Sequence, residues 1–135
     1  MSEDKIIVTG ATGFVGRTLC KALKSSGYTV CPTSRIEPFN QSDFDYFVTG
    51  NITEDTDWTK ILCSVDVVIH LAARAHIVND RSDNPLAEYR LSNTLPTIKL
   101  GRDAIRAGVR RFIFISSIGV NGAETFSDPY RSSDI

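Results

Sequence analysis

Residues 7–16 read IVTGATGFVG, and the glycines at 10, 13 and 16 constrain this chain more than any other feature. They directly follow a short apolar run, Lys5–Thr9, whose lack of alternation marks a strand buried on both faces. They open a helical pattern over 14–26, with Phe14, Val15, Leu19, Ala22 and Leu23 at helical spacing and Gly27 as its stop. Gly10 lets the chain leave the strand in a tight turn. Gly13, lacking a Cβ, lets the backbone approach a pair of linked phosphates, and Gly16 allows the helix to pack against the strand. The helix start then offers unpaired amides and a positive dipole end to an anion. The competing reading is a plain strand-to-helix turn with no ligand. The context, after a buried strand and before a helix, favours the dinucleotide grip.

The rest of the chain repeats the alternation. Tyr28–Thr33 reads as a second strand, with Pro32 demoting its end because proline cannot donate to a ladder. Residues 34–43 are loop-like, and Phe44–Val48 is a third strand candidate. Thr53 is placed to cap a helix over 54–63, and Asp66–Leu71 is the clearest buried strand. A long helical pattern covers 84–107, with Asn84 as cap, Pro85 in the first turn and Leu91, Leu95, Ile98 and Ile105 along one stripe. Pro96 should kink it, and Gly108 ends it. Arg111–Ser116 is a fifth strand, followed by a polar, turn-rich stretch. Strands alternating with helices predict an α/β fold, a doubly wound parallel sheet of Rossmann type with about five strands and helices on both faces. The 135 residues read as one domain, with no repeat and no linker.

Composition excludes several classes. No apolar run nears the roughly 20 residues of a membrane span, and the start, MSEDKIIV, does not read as a secretory signal. Net charge is −1, and the densest basic cluster, RAGVRR, sits at a helix end, where cations are favoured. Neither nucleic acid nor an anionic membrane is an expected partner. Cys20, Cys31 and Cys63 are odd in number and widely spaced, so buried reduced thiols in a cytoplasmic protein are expected, with no disulfide framework and no metal site. His70 falls in a buried strand pattern, where its backbone should matter more than its ring, and His76 reads as a loop residue.

The spacing Gly10-x-x-Gly13-x-x-Gly16, with Thr9 before it and Ala11-Thr12 inside it, resembles the extended short-chain dehydrogenase/reductase superfamily and its NAD-dependent epimerase/dehydratase family. His70-Leu71-Ala72-Ala73, Asn93, Ser116-Ser117 and Val120-Asn121-Gly122 fit the same pattern. The segments HLAARAHIVND, NPLAEYR and AGVRRFIFISSIGVNG are most similar to nucleotide-sugar epimerases, in particular bacterial hexosamine-type 4-epimerases of surface-polysaccharide synthesis. The resemblance runs from Lys5 to Asp134.

It implies a nicotinamide cofactor, NAD with NADP open, and a nucleotide-sugar substrate. Gly10, Thr12, Gly13, Phe14, Val15 and Gly16 match the phosphate turn, and Leu71, Ala72 and Ala73 match the segment under the cofactor's middle. Ser34 stands where an acid usually holds the ribose, and Arg35 follows it. Arg35 is open to three roles: contact with a 2′-phosphate, stacking on adenine, or pointing into water. Asn51, beside Ile52, replaces a usual aspartate near the adenine. Asn93 and Ser116 complete the cofactor set, and Ser117 matches the catalytic Ser or Thr. The family's Tyr-x-x-x-Lys is missing: Asp134 stands four residues after Tyr130, so Tyr130 reads as non-catalytic and the pair is expected beyond Ile135. The chain thus resembles the N-terminal, NAD(P)-binding part of a longer enzyme that epimerises a sugar at C4 by hydride transfer, itself inactive alone. A parent homodimer pairing through the long helix is implied too. Sugar 4-reduction, 4,6-dehydration, a dinucleotide sensor without catalysis and a domain binding no nucleotide are the alternatives.

Overall fold

The computed structural model describes residues 4–38, 43–75, 83–122, 124–125 and 128–133. Five parallel strands, β1 (Lys5–Thr9), β2 (Thr29–Ser34), β3 (Phe47–Val48), β4 (Val67–His70) and β5 (Arg111–Phe114), lie in the order β3-β2-β1-β4-β5. The chain winds outward from β1 to β3, then returns to the other side of β1 to lay down β4 and β5. The turn of direction falls between β1 and β4, the crevice where open α/β sheets bind ligands. His76, Asn40 and Asp134 lie outside the described residues.

Register sorts the side chains. Ile7 pairs with Cys31 and Val68, and Val68 with Phe112. These residues face one side of the sheet with Trp58, Leu62, Leu100 and Ala104. Ile6, Val8, Val67 and Ile69 face the other, against Leu19, Cys20 and Leu23 of helix α1 (Phe14–Ser25). Each fully buried side chain of Ile or Leu size contributes on the order of 2 kcal/mol. The strands buried on both faces are the two at the winding switch, which fixes their carboxyl ends firmly.

The long helical run departs from expectation in an informative way. It comprises α2 (Pro85–Tyr89), a π-helical turn (Arg90–Thr94) and α3 (Leu95–Arg106). Pro96 cannot donate to the carbonyl four residues back, and the wider turn ahead of it absorbs that defect. Asn84 caps α2 as read, its Oδ1 accepting from the Ala87 amide at 3.1 Å. The buried face carries Pro96, Leu100 and Ala104, whereas Leu91, Ile98 and Ile105 of the expected stripe are exposed.

Other expectations are corrected. No helix forms over 54–63; the chain makes turns there. Thr53 Oγ1 accepts from Asp55 N, as a helix cap would, but Thr56 Oγ1 accepts from Thr53 N, and Asp57 Oδ1 takes the Thr59 amide that a helix would turn to Asp55. Trp58, Ile61, Leu62 and Val65 are nevertheless buried under the sheet. The third strand shrinks to Phe47–Val48, because Phe44 and Tyr46 pack edge-to-face beside α1 instead of joining the ladder. Pro32 sits inside β2, paired with Val8, at a point where β2 has a neighbour on one side only. Cys20 and Cys31 are buried, but Cys63 is exposed at the end of the 59–64 turn. Burial pushes the Cys20 thiol up to about 11. Among the described residues no helix is long and apolar enough to cross a membrane.

Arg110, in the basic cluster, is tied at the opposite edge of the sheet. It pairs with Asp4 at 2.6 Å and with Asp66 at 3.4 Å, and Asp66 also accepts from the Lys5 amide at 2.9 Å. That amide bond first, then Arg110, holds the Asp66 carboxyl below the usual carboxylate range.

Candidate functional site

Because all five strands are parallel, the loops after them emerge on one edge, and every candidate residue except Asn93 lies in or directly beside one of these loops. The glycine turn follows β1, Ser34 closes β2, Asn51 and Ile52 come after β3, Leu71–Ala73 after β4, and Ser116 and Ser117 after β5.

The turn is built as the spacing requires. Gly10 has φ +68°, and a Cβ there would lie 2.8 Å from the Ala72 amide nitrogen, so the β1 and β4 ends meet backbone to backbone. A Cβ on Gly16 would lie 2.3 Å from the Gly10 carbonyl oxygen and 2.7 Å from Ala11 Cα. Gly16 therefore seats the helix on the turn itself more than on the strand. Gly13 donates to the Gly10 carbonyl at 3.0 Å and forms the helix N-cap in extended conformation, with no side chain capping it. The first bond back to the cap is Arg17 N to Gly13 O at 3.1 Å. The amides of Phe14, Val15 and Gly16 precede it and lack partners four residues back, as in any first helical turn. Phe14 is 96% exposed and Val15 is exposed, so neither side chain shields this end. The cradle left by missing Cβ atoms, lined by unpaired amides, fits the pyrophosphate of a dinucleotide.

Under the turn runs a buried hydrogen-bond chain that the sequence reading missed. Thr9 Oγ1 accepts from the amides of Leu71 and Ala72, each at 3.2 Å. Both its lone pairs are thereby used, and its one hydrogen goes to His70 Nδ1 at 2.7 Å. That assigns the ring proton to Nε2, which donates to Thr97 Oγ1 on α3 at 2.9 Å. His70 is 2% exposed between Thr9, Thr97 and the rings of Phe112 and Phe114, and burial pushes its pKa down to about 4. The ring, and not only the backbone, thus ties β1, β4 and α3 together. The only signal in the sequence was two polar residues, Thr9 and His70, each ending a buried run; Thr97 lies too far along the chain to be paired with them by inspection.

Asn93 serves the same segment from the π turn. Its Oδ1 accepts from Arg74 N at 2.7 Å and its Nδ2 donates to Arg74 O at 3.0 Å, clamping the chain just beyond Ala73. Ser34 is buried and its hydroxyl donates to Ile36 O at 2.8 Å, while Arg35 and Asn51 are exposed. Ser117 is exposed after β5, and its Oγ accepts from Gly119 N at 3.1 Å, which leaves the hydroxyl hydrogen to donate outward. Ser116 is exposed beside it. Tyr130 donates to Glu124 O at 2.7 Å and packs over Gly122. A groove of about 620 Å³ lies elsewhere, near the amino ends of β2 and β3, lined by Lys24, Tyr28, Phe44 and Tyr46 among others, and it holds none of the candidate residues.

Residues 6–135 match the model of the NAD dependent epimerase/dehydratase family. A UDP-glucose 4-epimerase of Vibrio cholerae is 42% identical over 130 residues, covering 96% of this chain and 40% of that protein. The chain therefore spans about two fifths of that relative's length. The crystal structure of UDP-N-acetylglucosamine 4-epimerase from Bacillus cereus superposes with a TM-score of 0.77 at 25% identity, over 98% of this chain and 42% of the other. MoeE5 in complex with UDP-glucose and NAD gives 0.74 at 30% identity, over 89% of this chain and 38% of the other.

Proposed function

Because the chain belongs to the NAD dependent epimerase/dehydratase family, we propose that it forms the nicotinamide-dinucleotide-binding part of a nucleotide-sugar 4-epimerase. The observation that carries this is the cradle at α1, where three side-chain-free positions put unpaired amides beside the winding switch. Gly10, Thr12, Gly13, Phe14, Val15 and Gly16 receive the pyrophosphate. Ser34, Arg35, Asn51 and Ile52 face the adenosine half. Leu71, Ala72 and Ala73 form the floor under the middle, held by Thr9 from below and by Asn93 through Arg74. Ser116 and Ser117 stand at the nicotinamide end. When bound, the nicotinamide supplies a reversible hydride acceptor for the sugar's C4 carbon. Ser117, its hydroxyl hydrogen free, donates to the sugar oxygen that changes protonation and so orients it.

No tyrosine in these 135 residues has a lysine four positions on. We infer that the stretch binds a dinucleotide but does not epimerise a sugar by itself. The exposed Leu91, Ile98 and Ile105 support pairing of two copies of the parent along the long helix, and two buried free thiols support a cytoplasmic setting. The test incubates the chain with NAD and UDP-glucose or UDP-N-acetylglucosamine, following both dinucleotide binding and C4 epimer. Binding without epimer is expected. Absence of binding would refute the site, and epimer formed by this chain would refute the claim that its proton-transfer partner is not among these residues.

A further inference from the structure

The carboxyl end of β2 points to a cofactor preference, an inference that rests on the dinucleotide reading above. In a sheet of this winding the adenosine ribose lies against the end of the strand next to β1. An acid there holds the ribose hydroxyls, and a basic residue accommodates a 2′-phosphate. Ser34 occupies that end. It is 5% exposed, its hydroxyl hydrogen is committed to Ile36 O at 2.8 Å, and its carbonyl accepts from Thr49 N at 2.9 Å. A neutral oxygen already donating to the backbone cannot do what a carboxylate does for two hydroxyls. It also presents no negative charge to repel a phosphate. The next residue is Arg35, exposed, with no ion-pair partner shown among the described residues; Lys99, Arg106 and Arg110 each have one.

We propose that the chain prefers NADP to NAD because Arg35 grips the 2′-phosphate. A guanidinium donates two parallel N–H bonds to phosphate oxygens, and a phosphomonoester carries close to two charges at neutral pH. Bonds of that kind correspond to roughly 10- to 100-fold in affinity. The 2′-hydroxyl of NAD gives Arg35 nothing comparable.

Calorimetric titration of the chain with NADP⁺ and NAD⁺, and of Arg35→Ala with both, tests this. NADP⁺ should bind about 10-fold or more tightly than NAD⁺, and the advantage should shrink as salt rises because the added contact is ionic. In Arg35→Ala the advantage should vanish, NADP⁺ losing about 10-fold or more in affinity and NAD⁺ losing less. The side chain is exposed, so an unchanged melting midpoint shows the variant folded. The pair 2′,5′-ADP and ADP repeats the comparison without the nicotinamide half. Equal or tighter binding of NAD⁺ overturns the preference and leaves the dinucleotide site standing. A preference that survives Arg35→Ala overturns the role of Arg35. Failure of all four ligands overturns the dinucleotide reading itself, and the preference with it.

Discussion

Replacing His70 by asparagine should change how stability depends on pH, by an amount the structure sets. The ring is neutral, buried between two threonines and two phenylalanines, and its pKa falls from 6.5 to about 4. Between those values the unfolded chain binds a proton that the fold excludes. Stability therefore rises with pH across the window: the contribution is complete above 6.5 and is lost as pH falls toward 4. The full shift, 6.5 − 4 = 2.5, corresponds to about 3 kcal/mol, of which about 2 kcal/mol is lost between pH 7.5 and pH 5. At pH 7.5 His70→Asn should cost about 2–4 kcal/mol, from the lost bond to Thr97 and the space the ring leaves. The asparagine cannot titrate, so at pH 5 the gap between the two proteins should close by about 2 kcal/mol. Urea unfolding of both at pH 7.5, 6 and 5 measures the gap, and the carboxylates shared by both proteins cancel in the difference. A gap that stays constant would show that His70 titrates normally and that the tautomer chain is not closed. Nitrogen-15 imidazole shifts give an independent reading, with Nδ1 unprotonated at pH 7.

Other substitutions test the remaining parts. Gly16→Ala would put a methyl 2.3 Å from the Gly10 carbonyl, and it should abolish dinucleotide binding and cost roughly 1–3 kcal/mol or more in a thermal melt. Gly101→Ala, in α3 with open space around it, should instead stabilise by roughly 0.5–1 kcal/mol. Asn93→Ala removes both bonds to Arg74 and should weaken dinucleotide binding while costing about 1–3 kcal/mol of stability in urea. Trp58 is fully buried with its Nε1 unpartnered among the described residues, so Trp58→Phe should stay within about 1.5 kcal/mol of the parent, whereas Trp58→Ala should cost about 3–5 kcal/mol in the same assay.

The elements legible in the sequence were those whose pattern is local. Lys5–Thr9, the glycine turn and α1 announce themselves within one stretch, because burial on both faces of β1 leaves no polar residue between Lys5 and Thr9. The long helix was legible in extent but not in orientation. Leu91, Ile98 and Ile105 make a tempting stripe, yet the sheet takes Pro96, Leu100 and Ala104, and a proline read as a breaker is easily left out of a core face. The expected helix at 54–63 does not form, and Asp57 binds the Thr59 amide that such a helix would use, a competition that apolar spacing does not register. In the site, the loops after each strand were foreseeable from the alternation alone. The support beneath them was not. His70 meets Thr9 across 61 residues and Thr97 across 27, and Asn93 meets Arg74 across 19, so these links exist only once the strands are ordered.

Backbone amide shifts on titration with NADP⁺ and NAD⁺ show whether the α1 cradle takes a dinucleotide. If the α1 cradle holds the pyrophosphate, the largest changes fall on residues 10–16, with smaller ones at Leu71–Ala73, and Gly16→Ala erases both. If folded protein at millimolar dinucleotide shows no change there, or changes centred on the groove at Lys24 and Tyr28, the cradle does not bind what its geometry fits.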